Sequence, residues 1–324
     1  METLTCPLSL PLFVLCLYLA GFADKNAWTQ LKLNDCGQLA DESILAFAEN
    51  CPNILEIDLH QCRLINNQPV TNLIAKGRSL RELRLTNCEL VDDGAFLSLP
   101  PGRTYEHLRI LDLTSCVRLT DRAVEKIIDI APRLRNLVLA KCRHITDDAV
   151  HAIARLGKNL HYVHLGHCGH ITDAAVKELV HKCNRIRYID LGCCTHLTDD
   201  SVTRLATLPK LKRIGLVKCG NITDESVIAL ARANQRHRHR RDPDGHGGEQ
   251  LYYSHSSLER VHLSYCTSLT LGVCSDDLAF LIPSSPANSQ PEHHKTPFVL
   301  SSTYTSELDG SAGLPERRSR PVLP

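Results

Sequence analysis

The chain has 324 residues, 43% hydrophobic and 23% charged, and 37 Lys+Arg against 36 Asp+Glu leave a formal charge of +1. Near-neutrality excludes a bulk polybasic nucleic-acid binder and an acidic-tail protein, and a single Trp with six Phe argues against a sugar- or base-stacking protein. Fifteen Cys is a high count, and their placement decides the reading.

Residues 1–27 form an apolar N-terminal segment. Residues 8–23 (LSLPLFVLCLYLAGFA) look like the core of a secretory signal, and Gly21 and Ala23 suit a cleavage site; yet Glu2 precedes the run and the first Lys is Lys25. The alternative is an atypical start. The stretch is short and contains Pro11, so no stable membrane span is expected.

From residue 28 onward the sequence repeats. The segments LKLNDCGQLADES, IDLHQCRLINN, LRLTNCELVDD, LDLTSCVRLTD, LVLAKCRHITD, VHLGHCGHITD, IDLGCCTHLTD, IGLVKCGNITD and VHLSYCTSLTL begin at Leu31, Ile57, Leu83, Leu111, Leu137, Val163, Ile189, Ile214 and Val261. They place Cys36, Cys62, Cys88, Cys116, Cys142, Cys168, Cys194, Cys219 and Cys266 in one column, at spacings of 26, 26, 28, 26, 26, 26, 25 and 47. The alternating L-x-L is a short strand with one buried face. The following Thr-Asp marks a helix start, with an oxygen able to cap orphan N–H groups, and the Asp of this column are read as capping residues. Apolar residues then recur at helical spacing, as in Val124, Ile127 and Ile128 or Val176, Leu179 and Val180. Pro52, Pro132 and Pro209 fall where helices should end. One strand plus one helix cannot bury its own apolar face, and stacked units can. The expected fold is an α/β leucine-rich-repeat solenoid, a horseshoe of about nine strand–helix units of roughly 26 residues, over residues 28–282.

Residues 233–255 (with RHRHRRDPDGHGG) interrupt the series as a basic, His-rich surface insertion. Residues 283–324 are Pro/Ser-rich and read as a disordered tail.

The column cysteines are expected to point inward as small hydrophobes. No CxxC pair exists, and the clustered spacing of a metal site is missing. Free buried thiols suit a reducing compartment, so cytoplasm or nucleus is expected, with secretion the alternative if residues 1–23 act as a signal. No GxSxG, P-loop, GxGxxG or HExxH occurs, so neither catalysis nor a cofactor is expected.

Solenoids bind partners on their concave face. There the later units carry Arg84, Arg135, Lys141, His164, His167, Arg187, Arg213, Lys218 and Arg260, while earlier units carry Glu56, Asp58 and Glu82. Arg forks match phosphate oxygens, so the expected partner is an acidic or phosphorylated protein segment, not nucleic acid.

The repeats resemble the cysteine-containing leucine-rich repeats over roughly residues 28–275. The run LRNLVLAKCRHITDDAV, GKNLHYVHLGHCGHITDAAV, CNRIRYIDLGCC and LPKLKRIGLVKCGNITDESV is similar to the fungal F-box and leucine-rich-repeat family of glucose-repression resistance. The insertion before LERVHLSYCTSLTL also fits it. This resemblance implies a non-catalytic substrate receptor. It would capture phosphorylated targets such as G1 cyclins on a basic concave face, for ubiquitin-dependent degradation in cell-cycle and nutrient control. Family members reach the cullin ligase when an F-box binds the Skp linker. Only 27 residues precede the first unit, so an F-box is not expected within this chain. The alternatives are an F-box-free scaffold or inhibitor and, with a true signal, a secreted repeat receptor.

Overall fold

A computed structural model describes residues 2–5, 28–236 and 258–270. Among the described residues, ten strands form one parallel sheet in sequence order. They are β1 (Glu2–Thr5), β2 (Trp28–Lys32), β3 (Glu56–Asp58), β4 (Glu82–Arg84), β5 (Ile110–Asp112) and β6 (Asn136–Val138). β7 (Tyr162–His164), β8 (Tyr188–Asp190), β9 (Arg213–Gly215) and β10 (Arg260–His262) complete the sheet. Helices α1 (Asp41–Asn50), α2 (Asn67–Lys76), α3 (Gly94–Leu97), α4 (Asp121–Ile130), α5 (Asp147–Ala154), α6 (Asp173–Lys182), α7 (Asp199–Leu205) and α8 (Asp224–Arg236) follow β2 to β9 in turn.

The expected strand–helix solenoid is therefore the observed fold. Register puts the central residues Leu31, Ile57, Leu83, Leu111, Leu137, Val163, Ile189, Ile214 and Val261 in line across the sheet, and all are buried. The apolar stripes of the helices close over them in one continuous core. The short α3 stops before Pro100-Pro101-Gly102, and its Phe96 is fully buried.

β1 adds a strand ahead of the first unit read from the sequence, with Leu4 opposite Leu31. At the other end, α8 runs through Arg236, into the segment read as the 233–255 insertion. The rest of that insertion, the apolar stretch 8–23 and the tail 283–324 lie outside the described residues. Among the described residues, no helix is long and apolar enough to cross a membrane.

Three repeating ladders lock one unit to the next. In the first, each column thiol donates to the carbonyl of the strand-end Leu one unit back: Cys62 to Leu33 (3.0 Å), Cys116 to Leu85 (3.2 Å), Cys142 to Leu113 (3.2 Å), Cys168 to Leu139 (3.3 Å), Cys266 to Leu216 (3.0 Å). Cys88, Cys194 and Cys219 do the same with Leu59, Leu165 and Leu191. Cys36 bonds instead to Asn34, two residues before it in the same unit. The thiol is thus both a small hydrophobe and a weak donor. The column cysteines from Cys62 to Cys266 are free thiols. Burial pushes Cys62, Cys88, Cys142 and Cys219 up to about 12, and Cys116, Cys168 and Cys194 are also raised.

The second ladder corrects the reading of the Thr-Asp pair. Thr is the cap: Thr120, Thr146, Thr198 and Thr223 accept from the N–H groups of Arg122, Asp148, Asp200 and Glu225. Asp occupies the first helical position, or the cap position in the case of Asp93, and its carboxylate reaches the next unit. Asp147 accepts from the Thr172 N–H (2.8 Å) and Oγ (2.6 Å). Asp93, Asp121, Asp173, Asp199 and Asp224 do the same for Thr120, Thr146, Thr198, Thr223 and Thr270. A carboxylate satisfies a donor pair one unit away and also sits at the positive end of its own helix.

The third ladder is backbone. The residue before each column Cys adopts positive φ: Asp35, Gln61, Asn87, Ser115, Lys141, His167, Cys193, Lys218 and Tyr265. Its N–H donates to the next unit, as Gln61 does to Thr86 and Ser115 to Ala140. A left-handed residue costs roughly 1–2 kcal/mol outside glycine. Repetition in every unit makes this a requirement of the turn and not a local functional strain.

Candidate functional site: the concave sheet face

Because side chains alternate along a strand, the residues flanking each buried central position face away from the helices. Sheet register then sorts them into columns. One column reads Glu56, Glu82, Ile110, Asn136, Tyr162, Tyr188, Arg213, Arg260. The next reads Asp58, Arg84, Asp112, Val138, His164, Asp190, Gly215, His262.

The nine basic residues singled out in the sequence fall into separate rows. Arg84 stands apart in the early units, bonded to Glu82 and 3.7 Å from Asp58, so its charge is already matched. Arg135 and Arg187 belong to a row at the strand entries. The row's backbone links run from Arg109 to Arg81, Arg135 to Arg109, His161 to Arg135 and Arg187 to His161. Burial first, then Arg187 and Arg135, lower the pKa of His161. Lys141, His167 and Lys218 occupy the positive-φ positions after the strands. Burial, then Lys141 and Lys218, lower the pKa of His167, which is therefore uncharged at neutral pH. His164 lies 3.8 Å from Asp190. Arg213 and Arg260 extend the first column beyond Tyr188.

Three features of this face escaped the sequence reading. Tyr162 and Tyr188 stack in parallel, with centroids 4.1 Å apart and planes 3° apart. Tyr188 donates to Asp190 (3.2 Å), and burial raises both phenols, so both stay protonated. The signal was available: the two Tyr stand 26 residues apart at one repeat offset. Secondly, Asp58, Asp112 and Asp190 each accept the N–H two residues on, at His60, Thr114 and Gly192, bracing the turn after the strand. Gly215 makes room for one of these: a Cβ there would collide with the Asp190 carboxylate. Thirdly, a trough of about 590 Å³ opens on the face, lined by Asp58, Arg84, Ile110, Asp112, Val138 and Tyr162 among others.

The face therefore grades from acidic through apolar–aromatic to basic. Among the described residues, no group of three or more His, Cys, Asp or Glu could hold a metal ion.

Comparison with known proteins places these repeats. The chain shares 42% identity over 66 residues with the SCF E3 ubiquitin ligase complex F-box protein pof2 of Schizosaccharomyces pombe, a match covering 20% of this chain and 10% of pof2. Among solved structures, Rad7 in complex with Elc1 from yeast aligns at TM-score 0.46 and 19% identity, over 75% of this chain and 71% of that one. The leucine-rich-repeat protein LegL7 of Legionella pneumophila aligns at TM-score 0.43 and 13% identity, over 81% and 82%. The SKP2 LRR domain family matches residues 42–238, more than half of the chain, which therefore belongs to that family.

Proposed function

We propose that this chain is the target-recognition module of an SCF-type ubiquitin ligase, capturing acidic or phosphorylated protein segments on its concave face. The observation that carries the reading is positive charge without a carboxylate partner. Arg135, Lys141, Arg187, Arg213 and Lys218 are exposed and make no ion pair among the described residues, although the Lys218 ammonium lies 5.7 Å over the Tyr265 ring. Exposed cations spread over one face suit phosphate capture more than they suit stability. Membership of the SKP2 LRR domain family and the short identity with an F-box protein support the ligase setting, with regulated degradation in cell-cycle or nutrient control as its purpose. The free, buried thiols favour a reducing compartment, cytoplasm or nucleus.

Titration of phosphorylated and plain forms of candidate target peptides tests the reading. The phosphorylated form should bind about tenfold or more tightly, roughly the strength of one charge-assisted contact. That difference should shrink with added salt and disappear in Arg187→Glu/Lys218→Glu. Equal affinities for the two forms would refute phosphate capture. A pull-down probed for the Skp linker separately tests the ligase setting.

A further inference from the structure

The trough on the early side of the face suits a cation, whereas the later units suit an anion. Tyr162 is covered on one side by Tyr188; on the other side stands Asn136 of the neighbouring strand, and both Tyr162 and Asn136 line the trough. Ile110 and Val138 give that trough an apolar part of its lining. Asp112 also lines it, one carboxylate oxygen braced by the Thr114 N–H (2.9 Å) and hydroxyl (2.7 Å), and makes no ion pair among the described residues. Arg84, the one guanidinium of the lining, is held by Glu82 and Asp58. An aromatic face, a carboxylate and an aliphatic part of the lining together match a Lys or Arg side chain, whose stem packs on apolar surface while its head meets the ring and the acid.

We propose that the captured segment is bipartite: a Lys or Arg seats between Tyr162 and Asp112, and an acidic or phosphorylated residue seats on Arg213 and Lys218. This rests on the recognition role proposed above and names the second half of its ligand. Strand spacing sets the distance between the halves. Tyr162 lies two strands from Arg213 and Asp112 lies four, which is roughly 10–19 Å at about 4.8 Å per strand. An extended segment covers that in about three to six residues. The sheet therefore measures charge separation, and a phosphate without a correctly spaced cation uses only half of it.

The probe is a degenerate peptide library with a fixed central phosphoserine and one Arg scanned through eight positions on each side. It is selected on the whole chain and on Asp112→Asn, which keeps an oxygen for the Thr114 turn while removing the charge. Arg should be enriched about three to six residues from the phosphoserine, and Asp112→Asn or Tyr162→Leu should reduce that enrichment roughly five- to tenfold, the scale of one cation–π contact with a partly exposed ion pair. Binding of Arg213→Glu should fall for every peptide. Equal melting temperatures of the variants and the parent establish that the effect is local. Phosphate-dependent binding with no positional Arg preference, or a preference that survives Asp112→Asn, overturns the bipartite ligand and leaves phosphate capture standing. Equal retention of phosphorylated and unphosphorylated libraries, or retention of neither by folded protein, overturns both.

Discussion

Cutting one rung of the Asp–Thr ladder should split the solenoid at a chosen place. Asp173 accepts from the Thr198 N–H (3.0 Å) and Oγ (2.7 Å), and from Ser201 Oγ. Ser201 is fully buried, so its hydroxyl loses its partner when the carboxylate goes. Hydrogen bonds to a charged group contribute roughly 1.5–3 kcal/mol each in favourable cases. Asp173 is partly exposed, so the three bonds together are discounted to about 3–4 kcal/mol. Asp173→Ala should cost that much, and Asp173→Asn about half, since its amide retains one acceptor oxygen. A solenoid couples only nearest neighbours, so a weakened interface should also separate the two sides in unfolding. The sole Trp, Trp28 in β2, reports on the early units alone, whereas far-ultraviolet circular dichroism reports on all of them. In urea the two probes should coincide for the parent chain. For Asp173→Ala they should part, with dichroism losing amplitude at lower urea than Trp28 fluorescence. A loss under about 0.5 kcal/mol, the level of an ordinary surface change, with superimposed curves, would refute the view that this carboxylate ties two units together.

The same ladder predicts acid sensitivity. Burial opposes ionisation of Asp173 and Asp199, yet the hydrogen bonds from Ser201 and Thr198, and from Ser226 and Thr223, outweigh it and hold both below the usual carboxylate range. Their stabilisation is present above the ordinary pKa and lost as pH falls through the depressed values, so melting temperature should drop in acid, less so in Asp199→Asn. The thiols act at the other extreme. Their stabilisation is complete below the ordinary thiol value near 8.5 and declines as pH rises toward the folded value of about 12 for Cys62, Cys88, Cys142 and Cys219. Melting temperature should be level from neutrality to mildly alkaline pH and then fall steeply; a constant value into strong alkali would refute burial of the protonated column. At the positive-φ turn, Ser115→Val should destabilise by about 1–2 kcal/mol through β-branching in a left-handed conformation, whereas Ser115→Gly should be near neutral. Denaturant midpoints of the two variants check the difference.

The fold could be read from the sequence because each unit states its own period, and nine statements of it fix the strand, the helix and the buried face together. Cys142 and Leu139 mark the same turn in every register, so little depended on weak local propensity. The role of Asp147 was misread for a physical reason. A capping oxygen and a tether to the next unit require the same residue beside the same helix start, and only the stacking distance decides which donor is reached. The face was harder still. Alternation identifies outward residues such as Arg84 and Arg213, but their meaning depends on lateral neighbours about 26 residues away. Arg84 lies beside Asp58 and is neutralised; Arg213 lies beside Tyr188 and is not.

Why this face can carry recognition follows from where the ladders sit. Each unit's demanding contacts lie in its turns and at its helix starts: the thiol to a Leu carbonyl, the Asp to a Thr, the left-handed N–H to the next unit. The central strand residue fills the core. The flanking strand positions hold the sheet through their backbone groups, and their side chains add only local contacts, such as the turn braces at Asp58, Asp112 and Asp190, the Gln30–Glu56 bond and the Tyr162–Tyr188 stack. Charge and aromaticity can then change from strand to strand without cost to the stack. Adjacent choices stand about 4.8 Å apart, close enough for Tyr162 to stack on Tyr188 and for Arg84 to approach Asp58. A partner lying across the strands meets these choices in sequence, so specificity resides in the order of side chains along a column, and exchanging Tyr162 with Arg213 should alter the preferred ligand while leaving the melting temperature nearly unchanged.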